Sequence, residues 1–268
     1  AALASNTWMD GRFGALVSVA YTKRRLLEEG HGSGGWLNGT EAGGYNPASP
    51  FAEARDIDVF SPRFPRYGRL THDQERLGLT GSLQFRPQEQ TLINLDLLYS
   101  DFKATRQENW LEALSFARNA SQGGRPEIIV RDGVIDENGD MVYGLFDDVD
   151  IETETRFDEL ETQYKQATLS LEHAFSDRFR VKGLIGYSES DFDNPVQTTV
   201  ILNAENTDGY FYDYRENRNA PLIGFGFDVT DPEAFNFGAA RSEIRLRPQG
   251  VTNSVKTAQF DAAYDLNP

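Results

Sequence analysis

The chain has 268 residues, of which 39% are hydrophobic and 12% aromatic, and it contains no cysteine. A transmembrane helix needs about 20 apolar residues in a row, and no such run is present at this mean hydropathy of -0.53. The net charge of -16 argues against a nucleic-acid partner, because phosphate binding needs a basic face. Without cysteine, disulfide bonds and thiolate metal sites are excluded as well.

Apolar and polar side chains alternate along six segments, which predicts β-strands with one apolar face and one polar face. The first segment follows a turn signal at Met9-Asp10-Gly11, and the residues before Trp8 are expected to end an earlier strand. In chain order the apolar positions are Phe13, Ala15, Val17, Val19 and Tyr21; Leu77, Leu79, Leu83 and Phe85; Ile93, Leu95, Leu97 and Tyr99; Ala167, Leu169, Leu171 and Phe175; Phe179, Val181, Ile185 and Tyr187; Ala258, Phe260, Ala262 and Tyr264.

The connections between these segments alternate in length. Short turns are predicted near residues 9, 88 and 177, whereas the connections around 24–74, 103–160 and 190–253 each take roughly fifty to sixty residues. Short turns at one end and long loops at the other are typical of outer-membrane barrels. We therefore predict an all-β protein, an antiparallel up-and-down meander that forms part of a transmembrane β-barrel with long extracellular loops.

Aromatic residues are expected at both ends of the predicted strands. Trp8, Phe13, Phe85, Phe175, Phe179 and Tyr264 lie beside the short turns, and Tyr21, Tyr99 and Tyr187 lie near the opposite ends. Two such rows are typical of the aromatic girdles of a membrane protein, which indicates outer-membrane lipid as the partner of the apolar face. The alternative is that these rings cap the core of a soluble β-sandwich.

Four segments carry a family resemblance: residues 10–21, 75–87, 110–116 and 187–195. In them the chain resembles the barrel region of TonB-dependent outer-membrane receptors, in particular the branch abundant in Caulobacter- and Xanthomonas-type bacteria. The resemblance implies a 22-stranded barrel in the outer membrane of a Gram-negative bacterium, closed by a plug domain and energised by a TonB complex. Plug domain, TonB box and most strands have no counterpart here, so residues 1–268 are interpreted as a partial barrel domain.

The resemblance also implies a function, which is active import of a scarce small-molecule ligand. Its branch favours an oligosaccharide, with a siderophore as the next choice. Two other functions stay open from the residues alone. One is a passive porin or another outer-membrane barrel, and the other is a soluble β-sandwich binding module.

Loop aromatics are the candidate ligand contacts, because exposed rings stack on sugars and on aromatic iron carriers. The alternative is that these rings pack the loops against each other. The candidates are Trp36, Tyr45, Trp110, Tyr210, Tyr212 and Tyr214.

No catalytic motif stands out. The chain has no Gly-x-Ser-x-Gly elbow, His-Glu-x-x-His helix or Walker loop, so we predict no enzyme, no catalytic residue, no cofactor and no metal site. The segment 30–35 is expected to be a flexible loop, and His31, His72 and His173 to be structural or surface groups. The acidic stretch 136–140 is interpreted as a hairpin turn, because Asp147 stands where a calcium loop would place its final Glu.

The pattern finally predicts a shape. Six strands and a stub are too few to close a barrel, so the sheet should be open, curved and paired in sequence order, with two free edges. One face should remain exposed for lipid, with Leu77, Leu79, Leu83, Phe85, Ile93, Leu95, Leu97, Leu169, Leu171, Val181 and Ile185. The other face should line the lumen, with Arg76, Thr80, Gln84, Asn94, Asp96, Thr168, Ser170, Arg180 and Lys182.

Overall fold

The computed structural model describes residues 1–122, 124–238 and 241–266. Its strands are β1 (Ala2–Trp8), β2 (Phe13–Gly32), β3 (Trp36–Leu37), β4 (Ser61–Pro62), β5 (Arg66–Gln88), β6 (Thr91–Ala113), β7 (Ile129–Ile135), β8 (Met141–Asp147), β9 (Val149–Ala174), β10 (Phe179–Thr207), β11 (Tyr210–Asp213), β12 (Leu222–Gly224), β13 (Glu243–Leu246) and β14 (Gln249–Tyr264). The short helix α1 (Gly39–Ala42) is capped by the Asn38 side chain, which accepts a hydrogen bond from the Thr40 amide. Single 3-10 turns span Ala52–Arg55, Ser115–Ala117, Ala120–Gln122 and Pro232–Ala234.

One antiparallel sheet contains all the long strands. Its order is β1-β2-β5-β6-β9-β10, and both β13 and β14 pair with β10 on the far side. The long strands therefore neighbour each other in sequence order, as the alternation predicts. Among the described residues the outer edges of β1 and β14 have no partner strand, so the sheet is open.

The three short turns lie where the sequence places them. The first joins β1 to β2, with Met9 and Asp10 at φ 57° and 55° and Gly11 at φ 82°. This backbone closes on itself through the Arg12 amide, which donates to the Met9 carbonyl at 3.1 Å. The other two turns connect β5 to β6 and β9 to β10.

The strands are much longer than predicted, and the loops are correspondingly shorter. The strands β2, β5, β6, β9 and β10 have 20, 23, 23, 26 and 29 residues, whereas the apolar alternation covers only about ten to twelve of them. The pairing of backbone groups does not depend on side-chain polarity, so the ladders continue where the apolar alternation stops. The prediction of a flexible loop over residues 30–35 is wrong for its first three residues, which form the end of β2.

The register confirms the predicted division of the faces. Phe85 is paired with Ile93 and Leu83 with Leu95, and the row continues from Leu95 to Leu169 and on to Ile185. Directly opposite residues share a face, so all eleven predicted apolar positions lie together, and none of them is buried. No second sheet covers them among the described residues, so the sandwich arrangement is not found.

The opposite face carries the nine predicted polar positions. Ser82 donates to Asp96 there at 2.6 Å, and Tyr164 donates to Gln166 at 2.8 Å. Some leucines interrupt this face, including Leu92 and Leu98, so it is mixed, with polar groups in the majority.

The three long connections form one packed unit beyond the end of the long strands. A four-stranded sheet, β12-β11-β8-β7, draws its strands from the second and third connections, and the first adds the pair β3-β4. The unit has its own buried core, formed by Tyr45, Ala54, Val59, Ala113, Phe116, Ile128, Val130, Met141, Val142, Phe146, Val149, Ile151, Tyr210, Tyr212 and Tyr214. Each large apolar side chain buried there contributes about 1.5–3 kcal/mol, so the loops are held in a defined structure.

The acidic stretch 136–140 forms the hairpin between β7 and β8, as predicted. The Asp136 carboxylate accepts the amides of Asn138 and Asp140 at 2.9 and 3.1 Å, and Gly139 takes φ 84°. Across the ranges that the structure covers, none of the helices has the length and apolar character of a membrane span.

Candidate ligand-binding site

The six predicted ligand-contact aromatics are divided by the structure into buried and half-buried groups. Tyr45, Tyr210, Tyr212 and Tyr214 retain only 0–3% of their surface and belong to the core of the loop unit. The expectation of exposed rings is wrong for these four, because each packs against other aromatic rings; for example, Tyr212 lies 5.9 Å from Phe116. The alternative reading, in which rings pack the loops together, describes them correctly.

The other two candidates, Trp36 and Trp110, are half-buried and lie apart from each other. The guanidinium of Arg66 lies 4.0 Å from the centre of the Trp110 ring, a cation–π contact that covers one face of that ring. Gly68 lies against the same ring, since a Cβ at that position would come within 2.0 Å of it. The Trp110 ring is therefore covered by Arg66 and Gly68, and Trp36 is the remaining candidate for stacking against a ligand.

Trp36 lines a cleft of about 370 Å³ in the loop unit, at the lower end of the size range of small-molecule sites. Segments from all three long connections meet there. Its lining consists of His31, Gly32, Ser33, Trp36, Asp140, Val142, Tyr214, Arg218 and Asn219.

Two aromatic contacts hold the wall of the cleft. The ring of Tyr214 meets Trp36 edge-on at 5.2 Å and His31 at 5.3 Å. The Tyr214 hydroxyl and His31 Nε2 are 2.7 Å apart. Because the Tyr214 body is buried while its hydroxyl reaches the cleft wall, it fixes the imidazole in place.

The Tyr214–His31 pair is neutral at physiological pH. Burial, followed by the nearby Arg66 charge, lowers the pKa of the His31 imidazole. Burial also raises the pKa of the Tyr214 phenol far above neutrality. The phenol thus keeps its proton and can donate it in a hydrogen bond to an unprotonated Nε2.

Polar groups of both charges face the same cleft. Arg218 forms an ion pair with Asp136 at 2.8 Å, which brings its guanidinium next to the hairpin that carries Asp140. Burial and the neighbouring Asp136 raise the pKa of the Asp140 carboxyl. With Asn219, the cleft offers a carboxylate, an amide and a guanidinium around a tryptophan ring, and its net charge is close to zero. Such a set can bind a neutral, polar, ring-shaped molecule by stacking and hydrogen bonding.

Trp36 and Tyr214 are the two predicted ligand contacts that line the cleft, and its polar lining is not predicted from the sequence. The sequence predicts His31 to be a structural or surface group and Asp140 to be a turn residue, whereas both line the cleft. The Gly-rich segment 30–35 was the one local signal near His31, because it marks a close approach of chain segments. Arg218 and Asn219 carry no sequence signal that distinguishes them from other loop residues.

A larger cavity, of about 720 Å³, lies on the long sheet beside Lys23, Glu75 and Glu161. Six of its charged side chains are paired across the strands, in the Lys23–Glu75, Arg25–Asp73 and Lys103–Glu161 ion pairs. A ligand that bound these side chains would have to break their ion pairs. The smaller cleft beside Trp36 is therefore the better candidate for the ligand site, although its volume is lower.

Comparison with protein-family models, with curated proteins and with solved structures found no match for this chain.

Proposed function

We propose that the chain forms part of the wall of an outer-membrane β-barrel that imports a ligand with energy from a TonB complex. In this proposal the apolar face of the sheet contacts lipid, the polar face lines the lumen, and the packed loop unit lies outside the cell. The observation that carries the proposal is the uncovered apolar face, which gives way to charged residues on the same face directly beyond Tyr21, Tyr99 and Tyr187.

The energy of the uncovered face supports a lipid partner. Seven of its eleven predicted apolar residues expose 39–58% of their surface. At about 1.5–3 kcal/mol for complete burial of each side chain, roughly 10 kcal/mol of transfer free energy is forgone over the whole face. That is comparable with the net stability of a typical domain, about 5–15 kcal/mol. In its working state, the face is therefore covered by an apolar partner.

The height of the apolar face fits a bilayer. Phe13 near the short turn and Tyr21 near the charged row are eight residues apart on β2, which is about 26 Å along a strand. At a barrel tilt of about 40° this length spans about 20 Å, close to the apolar band of about 25 Å in outer-membrane barrels. Phe179 and Tyr187 repeat this spacing on β10.

Beyond Tyr21 the same face becomes charged across four strands. Lys23, Glu75, Lys103 and Glu161 are directly opposite each other in one row and alternate in sign. Opposite charges in such positions stabilise a ladder in water but would be costly in hydrocarbon. The row therefore lies outside the lipid-facing band, whose boundary is nearer the short turns on β6 and β9, at Asp101 and Lys165.

The cleft supports an oligosaccharide over a siderophore as the ligand. Many iron carriers are anionic, whereas the cleft is close to neutral and offers Trp36 with carboxylate, amide and guanidinium groups. Sugar rings stack on indole faces, and their hydroxyl groups satisfy donors and acceptors of both kinds.

Membrane fractionation and uptake assays test the proposal. The protein should be recovered in the outer membrane, and cells that carry its gene should accumulate labelled maltodextrin more than cells without it. Accumulation should stop when the proton-motive force is collapsed. Uptake that continues without the proton-motive force, together with a steady open pore in a planar bilayer, would identify a passive porin. Recovery as a monomer in detergent-free buffer would refute membrane insertion.

A further inference from the structure

A compact group of carboxylates lies on the polar face, near the far ends of β6 and β9. Glu112, Glu152 and Glu154 each place one carboxylate oxygen within 4.8 Å of the other two. Glu112 and Glu152 are only 4% and 3% exposed, and Glu154 is half-buried. Three carboxylates this close repel each other, so the group needs compensating positive charge.

The neighbouring arginines compensate only part of that charge. Arg66 contacts Glu112 at 3.2 Å, and Arg118 reaches Glu152 at 3.5 Å, which is a long contact for an ion pair in a buried site. Two more arginines, Arg241 and Arg245, lie nearby but form ion pairs with Asp150 and Glu243. Glu154 has no ion pair of its own among the described residues, so the group keeps one uncompensated negative charge when all three carboxyl groups are ionised.

An independent observation points to a bound group. Asn203 on β10 is 1% exposed, and both its amide oxygen and its amide nitrogen lack a hydrogen-bond partner among the described residues. Buried amides are almost always hydrogen-bonded, because leaving one unpaired costs free energy. Asn203 is directly opposite Glu152, which is in turn opposite Glu112, so all three side chains lie in one row on the same face. The unpartnered amide is therefore adjacent to the carboxylates.

We propose that Glu112, Glu152, Glu154 and the amide oxygen of Asn203 form a binding site for a calcium ion. Calcium takes six to eight oxygen ligands at about 2.3–2.6 Å in a flexible geometry, so three carboxylate oxygens within 4.8 Å of one another can share one ion. Magnesium needs about 2.0–2.1 Å and a near-ideal octahedron, which is a stricter demand on side chains held by three different strands.

The ion would supply the missing positive charge and a partner for Asn203. It would also join β6, β9 and β10 directly beneath the loop unit, where Ser115 and Asp150 already connect the loops to the sheet through a 2.8 Å hydrogen bond. The proposal does not depend on the transport function, because the ligands and their geometry belong to the sheet itself.

Calorimetric titration of the full-length protein in detergent, after treatment with a chelator, tests the site. We expect one saturable calcium site and at least tenfold weaker binding of magnesium. Glu154→Gln should weaken calcium binding at least tenfold, while the matched control Glu161→Gln should leave it unchanged. Glu161 is on the same strand but on the other face, paired with Lys103. Circular dichroism shows whether each variant is folded.

Two results would overturn the site: a folded wild-type protein that takes up no calcium, or equal affinity in Glu154→Gln and the wild type. Asn203→Asp provides a second measurement that does not depend on losing a ligand. If the amide oxygen is a ligand, the added carboxylate should make the unfolding temperature more sensitive to calcium than in the wild type. An equal decrease with and without calcium would contradict the role of Asn203. Neutralisation by a proton alone would appear as a response to pH with none to calcium, which also overturns the proposal.

Discussion

Lys23 on β2 and Glu75 on β5 are directly opposite each other and form an ion pair. On the same face, the next pair toward the short turns is Tyr21 with Leu77. On β2 and β5 the face is apolar on the short-turn side of this pair and mostly charged on the other side. The strands continue through the change without interruption. The pair therefore separates two environments that share a single ladder.

That boundary predicts where a new charge is tolerated on β6. Leu95→Arg places a charge in the apolar band between Leu83 and Leu169, and it should destabilise the inserted protein by about 2–4 kcal/mol near the midplane. Thr105→Arg lies on the same strand and face beyond the charged row, opposite Asp73 and Glu159, and should have little effect. The effect of each substitution is measured as the fraction of the protein that is recovered from the outer membrane in heat-modifiable form. Equal recovery of the two variants would contradict a lipid-facing band.

The loop unit should lose its structure when its central aromatic residue is removed. Phe116 is 1% exposed and meets Phe146 edge-on at 4.9 Å. Phe116→Ala should cost about 3–5 kcal/mol, because it deletes a large buried side chain and leaves a cavity. Val134→Ala, at a position 39% exposed on β7 of the same loop unit, should change stability by less than about 1 kcal/mol. Urea unfolding and protease cleavage of the loops on intact cells should separate the two variants, and similar cleavage rates would argue against a packed unit.

Glu152 should make the stability of the calcium-free protein depend on pH. Burial raises the pKa of this carboxyl from 4.5 to about 7, although Arg118 opposes the shift. Because the folded protein binds the proton more tightly than the unfolded chain does, the stabilising contribution is complete below about pH 4.5 and is lost as the pH rises through about 7. The expected loss is on the order of 3 kcal/mol.

Urea unfolding at pH 5 and pH 8 in the presence of a chelator measures this loss. Glu152→Gln should reduce the difference in stability between the two pH values, because its side chain does not titrate. Glu161→Gln, on the opposite face of β9, should keep the wild-type difference. A pH dependence that survives in Glu152→Gln would assign it to another group.

The cleft predicts a selective effect of Trp36 on ligand binding. Trp36→Ala should raise the KM for uptake of the recognised sugar about tenfold, equivalent to about 1.4 kcal/mol, and leave the amount of protein in the membrane unchanged. Tyr214→Phe should have a smaller effect, because it removes only the hydroxyl that contacts His31. Phe237→Ala is a suitable control, since this aromatic residue is 54% exposed and lies outside the cleft. If Phe237→Ala raises the KM as much as Trp36→Ala does, the cleft is not the binding site.

The sequence by itself determined the apolar parts of the strands in the long sheet, their order and their faces. Alternation with a period of two places Leu79 and Leu83 on one face of β5, and the matching apolar faces of the neighbouring strands come together because all of them avoid water. Turn residues such as Gly11 fix where the chain reverses, and short turns force neighbouring strands to pair. These are local properties, so they can be read from a dozen residues at a time.

Only the tertiary structure decided where the strands end and what the loops form. Polar segments such as 24–32 contain no apolar alternation, but their backbones still pair with the facing strand, and ion pairs such as Arg25–Asp73 accompany that pairing. The cleft brings His31, Asp140 and Arg218 together from three separate connections, and the acidic group joins Glu112 to Glu152 across two strands. These contacts depend on the register between distant segments, which no local pattern in the chain specifies.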